Sequence, residues 1–584
     1  MRNFFKTFFA SFLALVIFTV LGIFLLIGFI GGLASKGKPR VDKGSVLVLN
    51  LGQQYKEQVQ KNLFGVLNGD DGKDTPGLFD VIRLLHTAKN DKNIEGIYIQ
   101  ANPSPNGFAA SSEIRKALLD FKTSGKFIIA HGDVITQKTY SIANVADKIY
   151  VSPQGALEWV GYSVDYAFLK GTLDKLDIQP QIFYAGKFKS ATEPLRAEKM
   201  TEENKLQTTV WVNDLYDDLL VTTAGVRKID TATLRRLAND GVIQTAKDAV
   251  DNKLLDGVKY DDEVKDEIKS KLKIDKYQRI SFITINAYME ADKYIKSGGE
   301  KIALIYAEGD IVDGKGDQEN IGSDHYRTLI RKARLDKTIK AIVFRINSGG
   351  GSSIASENIW RELSLAQKEK PVIVSFGDVA ASGGYYIACA ADSIFAQRNT
   401  ITGSIGVFGI IPNMEGFFKN KLGVTFDGVK TGPYADMMTI TRPMNEKEKQ
   451  LIQKEIEIIY SLFKQRVADG RKKDTAYVDS IAQGRVWTGL RAIDIGLIDR
   501  FGGIEDAVKS AASMAKLTDY QVKEFPEPRG LFEQIFGKSA PLSYNEQVKQ
   551  EIGEDNYKLY LQLKKIKQMS NTIQARLPFE FFIH

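Results

Sequence analysis

The stretch Ile94-Glu-Gly-Ile-Tyr-Ile-Gln-Ala-Asn102 decides the fold, because it recurs as Ile339-Lys-Ala-Ile-Val-Phe-Arg-Ile-Asn347. The two copies lie about 245 positions apart, and a repeat of this kind has to be recognised before a fold is assigned. At the same offset, Gly132-Asp-Val corresponds to Gly377-Asp-Val. A chain of 584 residues is too long for one hydrophobic core. The duplication therefore predicts two large homologous units.

Short β-branched runs alternate with helical periods in both copies, which is typical of strands joined by helical crossovers around a mainly parallel sheet. The first copy has predicted strands at Ile97–Ile99, Phe127–Ala130 and Ile149–Val151, and a helix at Ser112–Phe121. The second has predicted strands at Ile302–Tyr306, Ile342–Ile346, Val372–Phe376 and Ser393–Phe395, and a helix at Ala355–Gln367. The fold class is therefore α/β with two tandem domains.

The sequence divides into four parts. They are an N-terminal anchor (1–36), a first repeat (45–290), a second repeat (300–520) and a charged helical tail (521–584). Charged segments of helical spacing are Thr201–Asp218, Asp262–Lys273, Asn445–Ala468 and, in the tail, Gln547–Met569. We expect these segments to be solvated helix faces or packing arms.

The N-terminal segment carries no charge from Thr7 to Ser35. At ~1.5 Å per residue, the run Phe8–Ile30 is long enough to cross a hydrocarbon core of ~30 Å. A cleaved signal peptide is the alternative, but its apolar region spans only ~7–15 residues. We therefore expect an uncleaved membrane anchor. Basic residues flank both ends of the segment, so charge gives no firm orientation.

Composition argues against several other classes of protein. The net charge of +7 is modest for this length and the basic residues are interspersed with acids, whereas a nucleic-acid-binding protein needs a concentrated basic face. The single cysteine, Cys389, cannot form an intrachain disulfide and has the apolar neighbours of a buried residue. We predict no cofactor, no metal and no nucleic-acid partner.

Two glycine-rich turns of the second copy carry the candidate chemistry. Each of them, Asn347-Ser-Gly-Gly-Gly351 and Ala380-Ala-Ser-Gly-Gly384, follows a predicted strand and precedes a helix. Glycines there leave backbone N–H groups free and allow a substrate to approach, and helix N-termini add positive potential. Ser382 is a candidate nucleophile, although a serine at a helix start is often only an N-cap. The first copy has Gln137 at the corresponding position.

A serine nucleophile needs a base, and histidine is nearly absent here. The four histidines are His86, His131, His325 and His584, and none lies in a repeated motif beside the serine turn. A lysine can replace histidine when burial lowers its pKa toward ~7–8. Lys189 follows the apolar and aromatic run Phe183-Tyr-Ala-Gly and belongs to the copy that lacks the serine. Lys187 is the obvious alternative lysine.

Ser404, in Thr402-Gly-Ser-Ile-Gly-Val407, lies about one strand and turn beyond Ser382 and could orient the lysine amine. A strand-edge turn built on Gly403 and Gly406 explains the same spacing equally well. If the functional interpretation holds, each repeat has kept one part of a single site.

The chain resembles the long, tandem-repeat form of signal peptide peptidase, a membrane-anchored serine protease of the Clp-protease/crotonase superfamily (ββα superhelix). The resemblance covers nearly the whole chain. The resemblance rests on five segments: Lys189-Ser-Ala-Thr-Glu-Pro194, Arg345-Ile-Asn-Ser-Gly-Gly-Gly-Ser352, Ala380-Ala-Ser-Gly-Gly-Tyr385, Thr402-Gly-Ser-Ile-Gly406 and Gly484-Arg-Val-Trp-Thr-Gly489.

The resemblance implies a role for each site residue. Ser382 is the nucleophile, Lys189 the general base, Ser404 the residue that positions the amine, and the N–H groups of Gly350 and Gly383 the oxyanion hole. It also implies a bowl-shaped homotetramer in the bacterial inner membrane, single-pass, with extracytoplasmic catalytic domains that degrade cleaved signal peptides and other unfolded apolar peptides. The family usually has proline where Gly349 stands.

Two other functions compete with the protease. An acyl-CoA hydratase or isomerase of the same superfamily would need acidic catalytic residues and no Ser382, and a non-catalytic membrane scaffold would need only the assembled repeats. The sequence leaves open the cleavage preference, the natural substrates and the role of the tail. It also leaves open whether Lys189 acts within one protomer or across an interface.

Overall fold

The computed structural model describes residues 2–34, 39–61, 74–291, 294–295, 297–317, 319–527, 572–577 and 582–583. It begins with one long helix, α1 (Arg2–Ala34). Within α1, Phe4–Gly22 is long and apolar enough to cross a membrane, a test that a signal sequence also passes. The described side chains of this segment are exposed, so no core of the protein covers them.

The first repeat follows α1. Its strands are β1 (Ser45–Asn50), β2 (Ile94–Gln100), β3 (Phe127–Ile135), β4 (Lys148–Leu157), β5 (Val164–Asp165), β6 (Gln179–Ala185), β7 (Gly257–Val258) and β8 (Phe282–Thr284). Its helices are α2 (Leu78–Asn90), α3 (Phe108–Lys122), α4 (Gln137–Ala143), α5 (Lys170–Lys175), α6 (Glu193–Arg196), α7 (Glu202–Arg227), α8 (Thr231–Asn239), α9 (Ala246–Asp251), α10 (Asp261–Leu272) and α11 (Ile285–Ala291).

The second repeat contains the next set of elements. Its strands are β9 (Glu300–Glu308), β10 (Asp310–Val312), β11 (Asn320–Gly322), β12 (Ile339–Ser348), β13 (Gly350–Ser352), β14 (Val372–Ala381), β15 (Ser393–Ala396), β16 (Ile401–Gly403), β17 (Val407–Asn413), β18 (Val486–Thr488), β19 (Arg500–Phe501) and β20 (Tyr520–Phe525). Its helices are α12 (Ser323–Leu335), α13 (Ser353–Gln367), α14 (Gly383–Ala388), α15 (Glu446–Arg471), α16 (Thr475–Ile481), α17 (Gly489–Ala492) and α18 (Ile504–Met514). Near the C-terminus lie β21 (Ile573–Arg576) and β22 (Phe582–Ile583).

The two repeats build separate sheets that have the same strand topology. The first has the strand order β8-β1-β2-β3-β4-β7, with every pairing parallel. The second has the corresponding order β20-β9-β12-β14-β15-β19, again parallel. The central strands are buried on both faces, as continuous Val/Ile runs require in a parallel sheet. The predicted duplication and the α/β fold class are confirmed.

A third sheet joins the repeats, in the order β11-β10-β13-β21-β17-β6. The first-repeat strand β6 pairs antiparallel with the second-repeat strand β17, from Ala185 opposite Val407 to Gln179 opposite Asn413. This pairing places the loop after β6 against the second repeat. Two parts of the chain that are remote in sequence therefore meet at one edge.

A charged cluster is buried where the repeats meet. Arg345 of β12 is 0% exposed and binds Glu57 and Glu113, both from the first repeat. Its Nη1 also donates to Ser375 Oγ and the Phe376 carbonyl, each at 2.8 Å. The cluster fixes the second repeat's central strands to the first repeat.

The C-terminal tail differs from its predicted helical character where it is described. Tyr520–Phe525, which straddles the predicted boundary at 520, is strand β20 of the second sheet. Residues 573–576 form β21, between β13 and β17. The helix predicted at Gln547–Met569 lies outside the described residues. The tail's ends are strands because they find open sheet edges to pair with.

Candidate active site

Ser382 lies in the turn between β14 and α14, with backbone angles φ 53° and ψ −116°. This conformation is strained for a residue with a Cβ, and such strain is found where a structure holds a side chain in one functional position. Ser382 N–H donates to the Gly403 carbonyl at 2.8 Å. The hydroxyl makes no capping bond to α14, although Ser382 is the N-cap residue. The N-cap interpretation of this serine is therefore wrong.

Lys189 enters the site from the first repeat, in the loop between β6 and α6. Gly186, at φ 104°, sits against Gln483 and Gly484 so tightly that a Cβ would lie 2.5 Å from the Gln483 carbonyl carbon. A Cβ on Gly484 would lie 2.7 Å from Lys189 Cβ. Only glycines allow this close approach. The close packing holds the lysine backbone against the second repeat.

The structure brings Lys189, Ser382 and Ser404 together. Lys189 Nζ lies 2.9 Å from Ser382 Oγ, 3.0 Å from Ser404 Oγ and 3.1 Å from the Ser404 carbonyl oxygen. A neutral amine has two N–H groups, which the two Ser404 oxygens can accept, and one lone pair, which then faces the Ser382 hydroxyl. The geometry suits an amine that removes the proton from Ser382.

Burial sets the protonation of this amine. Lys189 is 1% exposed, and Ser382 and Ser404 are 0% exposed. Burial lowers the pKa of Lys189 well below its usual value, because the ammonium form loses its hydration. The polar atoms recorded around Nζ are hydroxyl and carbonyl oxygens, which carry no full charge to offset that loss.

Hydrogen bonds from Gln207, which the sequence analysis missed, hold the loop that carries Lys189. Gln207, on α7, donates from Nε2 to the Phe188 carbonyl at 3.1 Å and to Ser190 Oγ at 3.0 Å. Its Oε1 accepts from Val486 N–H of the second repeat at 3.1 Å. A lone glutamine on a charged helix carries no sequence signal for this role. The signal available for the Gly484 contact was its place in Gly484-Arg-Val-Trp-Thr-Gly489, one of the segments that carry the family resemblance.

The glycine turn at 349–351 lies beside Gly383. A Cβ on Gly350 would lie 2.1 Å from the Ala575 carbonyl oxygen and 2.7 Å from Gly383 N, so only a glycine allows this close approach. Gly350 N–H, however, donates to Ser348 Oγ at 3.1 Å and is therefore already in use. The next N–H along β13 belongs to Gly351. The oxyanion-hole role of Gly350 stays a prediction, and the N–H of Gly351 is an alternative donor on this strand.

Gly349 replaces the usual proline without a steric consequence. A Cβ there would meet only the Leu577 side chain, at 3.6 Å, and its φ is not positive. The residue on either side of it is buried in strand structure, so the loop is held from both ends.

The corresponding pocket of the first repeat is filled. Gln137, 1% exposed, donates from Nε2 to the Gly161 carbonyl at 2.7 Å. Its Oε1 accepts from Gly161 N–H at 2.8 Å and Val160 N–H at 3.1 Å. Gln137 therefore occupies the position that Ser382 has in the second repeat, and its amide bonds the backbone there.

The alternative bases lie elsewhere. Lys187 is exposed, with its amine 5.4 Å from the centre of the Phe188 ring. His86 binds Asp120 and Glu505, and His131 binds the Lys259 carbonyl in the first repeat. His325 is exposed on α12, whereas Ser382 is buried, and His584 lies outside the described residues.

Comparisons with known proteins agree with this architecture. The model of peptidase family S49 matches the chain twice, at residues 120–275 and 364–518. A "Protease 4" of Salmonella typhi is 37% identical over 80% of this chain and 76% of its own length. A "Protease 4" of Haemophilus influenzae is 33% identical over 86% and 85%, and a chloroplastic "Serine protease SPPA" of Arabidopsis thaliana is 32% identical over 82% and 70%.

The duplicated parallel sheets and the two family matches define the chain as an α/β protein with two tandem peptidase domains. It belongs to peptidase family S49. The predicted enzyme class, a serine protease, is confirmed by this membership, and the acyl-CoA enzyme and scaffold alternatives are set aside.

Proposed function

We propose that this protein is a membrane-anchored endopeptidase in which Ser382 is the nucleophile and Lys189 the general base. One observation carries the proposal: the buried amine of Lys189 lies 2.9 Å from the buried hydroxyl of Ser382. The two groups come from different repeats of one chain. We propose that the dyad acts within a single protomer, which gives the duplication a chemical reason.

The proposed reaction is acyl transfer. Neutral Lys189 takes the Ser382 proton while the serine oxygen attacks a peptide carbonyl. Backbone N–H groups of Gly383 and Gly351 stabilise the oxyanion, beside the space that Gly350 leaves open. Protonated Lys189 then donates to the leaving amine, and the same residue activates the water that releases the acyl group. Ser404 orients the amine throughout.

Hydrolysis of an apolar reporter peptide by the detergent-solubilised protein tests this function. Wild type should cleave the unfolded peptide and spare a folded protein of similar composition, because a buried site admits only extended chain. Ser382→Ala should abolish cleavage. The Ser364→Ala variant, which removes a half-buried serine hydroxyl that bonds only the backbone of its own helix α13, is the matched control and should stay active. A Ser382→Ala protein that cleaves at the wild-type rate would refute the proposal.

Activity should rise with pH. Because burial lowers the pKa of Lys189, the neutral, active form of the amine accumulates as pH rises through that depressed value. We expect kcat/KM to increase with pH and to level off once the amine is neutral, with one titrating group on the acidic limb. A profile without such a rise would count against a lysine base.

We propose that α1 anchors the protein in the bacterial inner membrane, with the catalytic repeats on the periplasmic side. The support is the apolar helix Phe4–Gly22 together with the bacterial relatives. Cleaved signal peptides and other unfolded apolar peptides, which membranes accumulate, are the proposed substrates. Externally added protease should digest the repeats in spheroplasts; protection there would reverse the orientation.

We propose a homotetramer. Its support is an exposed apolar segment of the second repeat that contains Leu422, Val424, Phe426, Val429, Tyr434 and Met438. Residues 424–430 correspond by the repeat to β6, which pairs with β17, so this segment is suited to pair with a strand of another copy. Light scattering should give four chains for wild type and fewer for Phe426→Asp/Val429→Asp. A monomeric wild type would contradict the assembly.

A further inference from the structure

The strand β21 lies beside the candidate active site. It pairs antiparallel with β13 on one side and with β17 on the other, so it fills the space between the glycine turn and the strand beside Lys189. The three residues Ile573, Ala575 and Leu577 alternate with Gln574 and Arg576. Extended peptides are recognised in this way, by adding a strand to an open sheet edge.

The register places one carbonyl of β21 at the proposed oxyanion hole. Leu577 N–H donates to the Gly349 carbonyl at 2.8 Å. Bonds in an antiparallel ladder alternate, so the next one runs from Gly351 N–H to the Ala575 carbonyl. A Cβ on Gly383 would lie only 2.9 Å from that carbonyl oxygen. The Ala575 oxygen therefore lies between the two proposed donors.

The side chains of Ala575, Arg576 and Leu577 each contact a different part of the protein. Ala575 is 1% exposed within the apolar core of the second repeat, where a larger side chain has no room. Arg576 forms an ion pair with Asp310, with Nη2 2.6 Å from Oδ1 and both side chains mostly buried. Leu577 packs with Trp211, Leu215 and Ala381 in a cluster that spans both repeats.

We infer that β21 occupies the groove in the register of a substrate, with Ala575 on the acyl side and Arg576 on the leaving side of the reacting bond. Asp310 is then a specificity residue that selects a basic side chain after the cleavage point. The enzyme prefers extended peptides with a small residue before that bond and a basic residue after it. This inference rests on the proposed dyad and names its substrate class.

The reaction at this bond balances without any further reagent. Ser382 Oγ bonds to the Ala575 carbonyl carbon and gives its proton to Lys189. The bond to the Arg576 nitrogen breaks, and that nitrogen takes the proton from Lys189. Water then hydrolyses the ester, which leaves a carboxylate on Ala575 and restores both side chains. The same steps apply to a separate peptide once the chain's own strand has left the groove.

Reversing the charge at Asp310 tests the proposed preference for a basic residue after the cleaved bond. Two quenched peptides contain Thr-Ile-Gln-Ala-Arg-Leu and the same sequence with Glu in place of Arg. Wild type should cleave the first after Ala and at least about tenfold faster than the second, since a close buried charge pair is worth more than ~1.4 kcal/mol. Asp310→Lys should reverse the preference, whereas Asp324→Asn, at an exposed acid on α12, should keep it.

Two readouts separate this inference from the proposed function. If the unrelated apolar reporter is cleaved in a Ser382-dependent way but Asp310→Lys leaves the Arg/Glu preference unchanged, the inference is overturned and the protease stands. If no peptide is cleaved, anisotropy with the Ser382→Ala/Arg576→Glu protein still decides, because its own strand is weakened. Tighter binding of the Arg peptide than of the Glu peptide supports the register, and equal binding refutes it.

Discussion

Replacing Lys189 by methionine is expected to lower kcat/KM on the order of 10²–10⁴-fold, the range that a general base contributes. Methionine keeps the length and apolar stem of the side chain, but its thioether sulfur is too weak a base to take the Ser382 proton. The folded protein should lose little or no stability, because burial of an amine is unfavourable and the pKa of Lys189 is lowered for that reason. The Lys189→Met variant should therefore lose activity while it keeps its stability.

The matched control is Lys187→Met, two residues away in the same loop. Lys187 is exposed and its amine lies over the Phe188 ring rather than in the site. This variant should hydrolyse the reporter at close to the wild-type rate. If Lys189→Met instead keeps full activity in the same assay, the base lies elsewhere, and His325 or His131 must be reconsidered.

Replacing Arg345 by leucine is expected to cost about 3–5 kcal/mol in the free energy of unfolding, since it leaves buried carboxylates without their partner. Arg345 binds Glu57 at 2.9 Å and Glu113 at 2.7 Å, and all three side chains are buried. Burial raises the pKa of Glu57 to about 7 even with the arginine present. Both carboxyls come from the first repeat, so the variant should loosen the contact between repeats.

The midpoint of urea unfolding, monitored by tryptophan fluorescence, measures this loss of stability. Arg361→Leu, at an exposed position of α13, is the matched control and should shift the midpoint little. The deficit of Arg345→Leu should shrink as pH falls, because a protonated carboxyl no longer carries an unpaired charge. Adding Glu57→Gln and Glu113→Gln should restore part of the stability. An Arg345→Leu midpoint equal to that of wild type would show that the cluster is not structurally important.

The duplication made much of the fold predictable. Both copies of the Ile94 and Ile339 stretches form central strands, because continuous β-branched runs can be buried on both faces only in a parallel sheet. The helical spacing at 201–218, 262–273 and 445–468 corresponds to α7, α10 and α15. Local periodicity determines these elements, so the sequence sufficed for them.

Contacts between distant residues were harder to predict. Comparison of the repeats singled out Lys189, yet its distance to Ser382 depends on the pairing of β6 with β17, which no local pattern encodes. Gln207 acts through the backbone of its neighbours, so its residue type gives no hint of that role. The family resemblance implied Gly350 as an oxyanion donor, and no local pattern indicates that its N–H donates to the Ser348 hydroxyl.

The strand β21 did carry a sequence signal. Ile573, Ala575 and Leu577 alternate with polar residues, the period of a half-buried strand. The prediction for the tail followed the longer charged segment Gln547–Met569 instead. A short alternating run has no recognisable partner in sequence, because the open edge that it fills is created by two other strands of the fold.

Labelling with a small fluorophosphonate, mapped by mass spectrometry, tests the split dyad most directly. The proposed chemistry predicts a single label on Ser382, a labelling rate that rises with pH as Lys189 loses its proton, and a strong loss of labelling in Lys189→Met but not in Lys187→Met. A label on another residue of an enzyme that hydrolyses the reporter, or undiminished labelling of Ser382 in Lys189→Met, would contradict it.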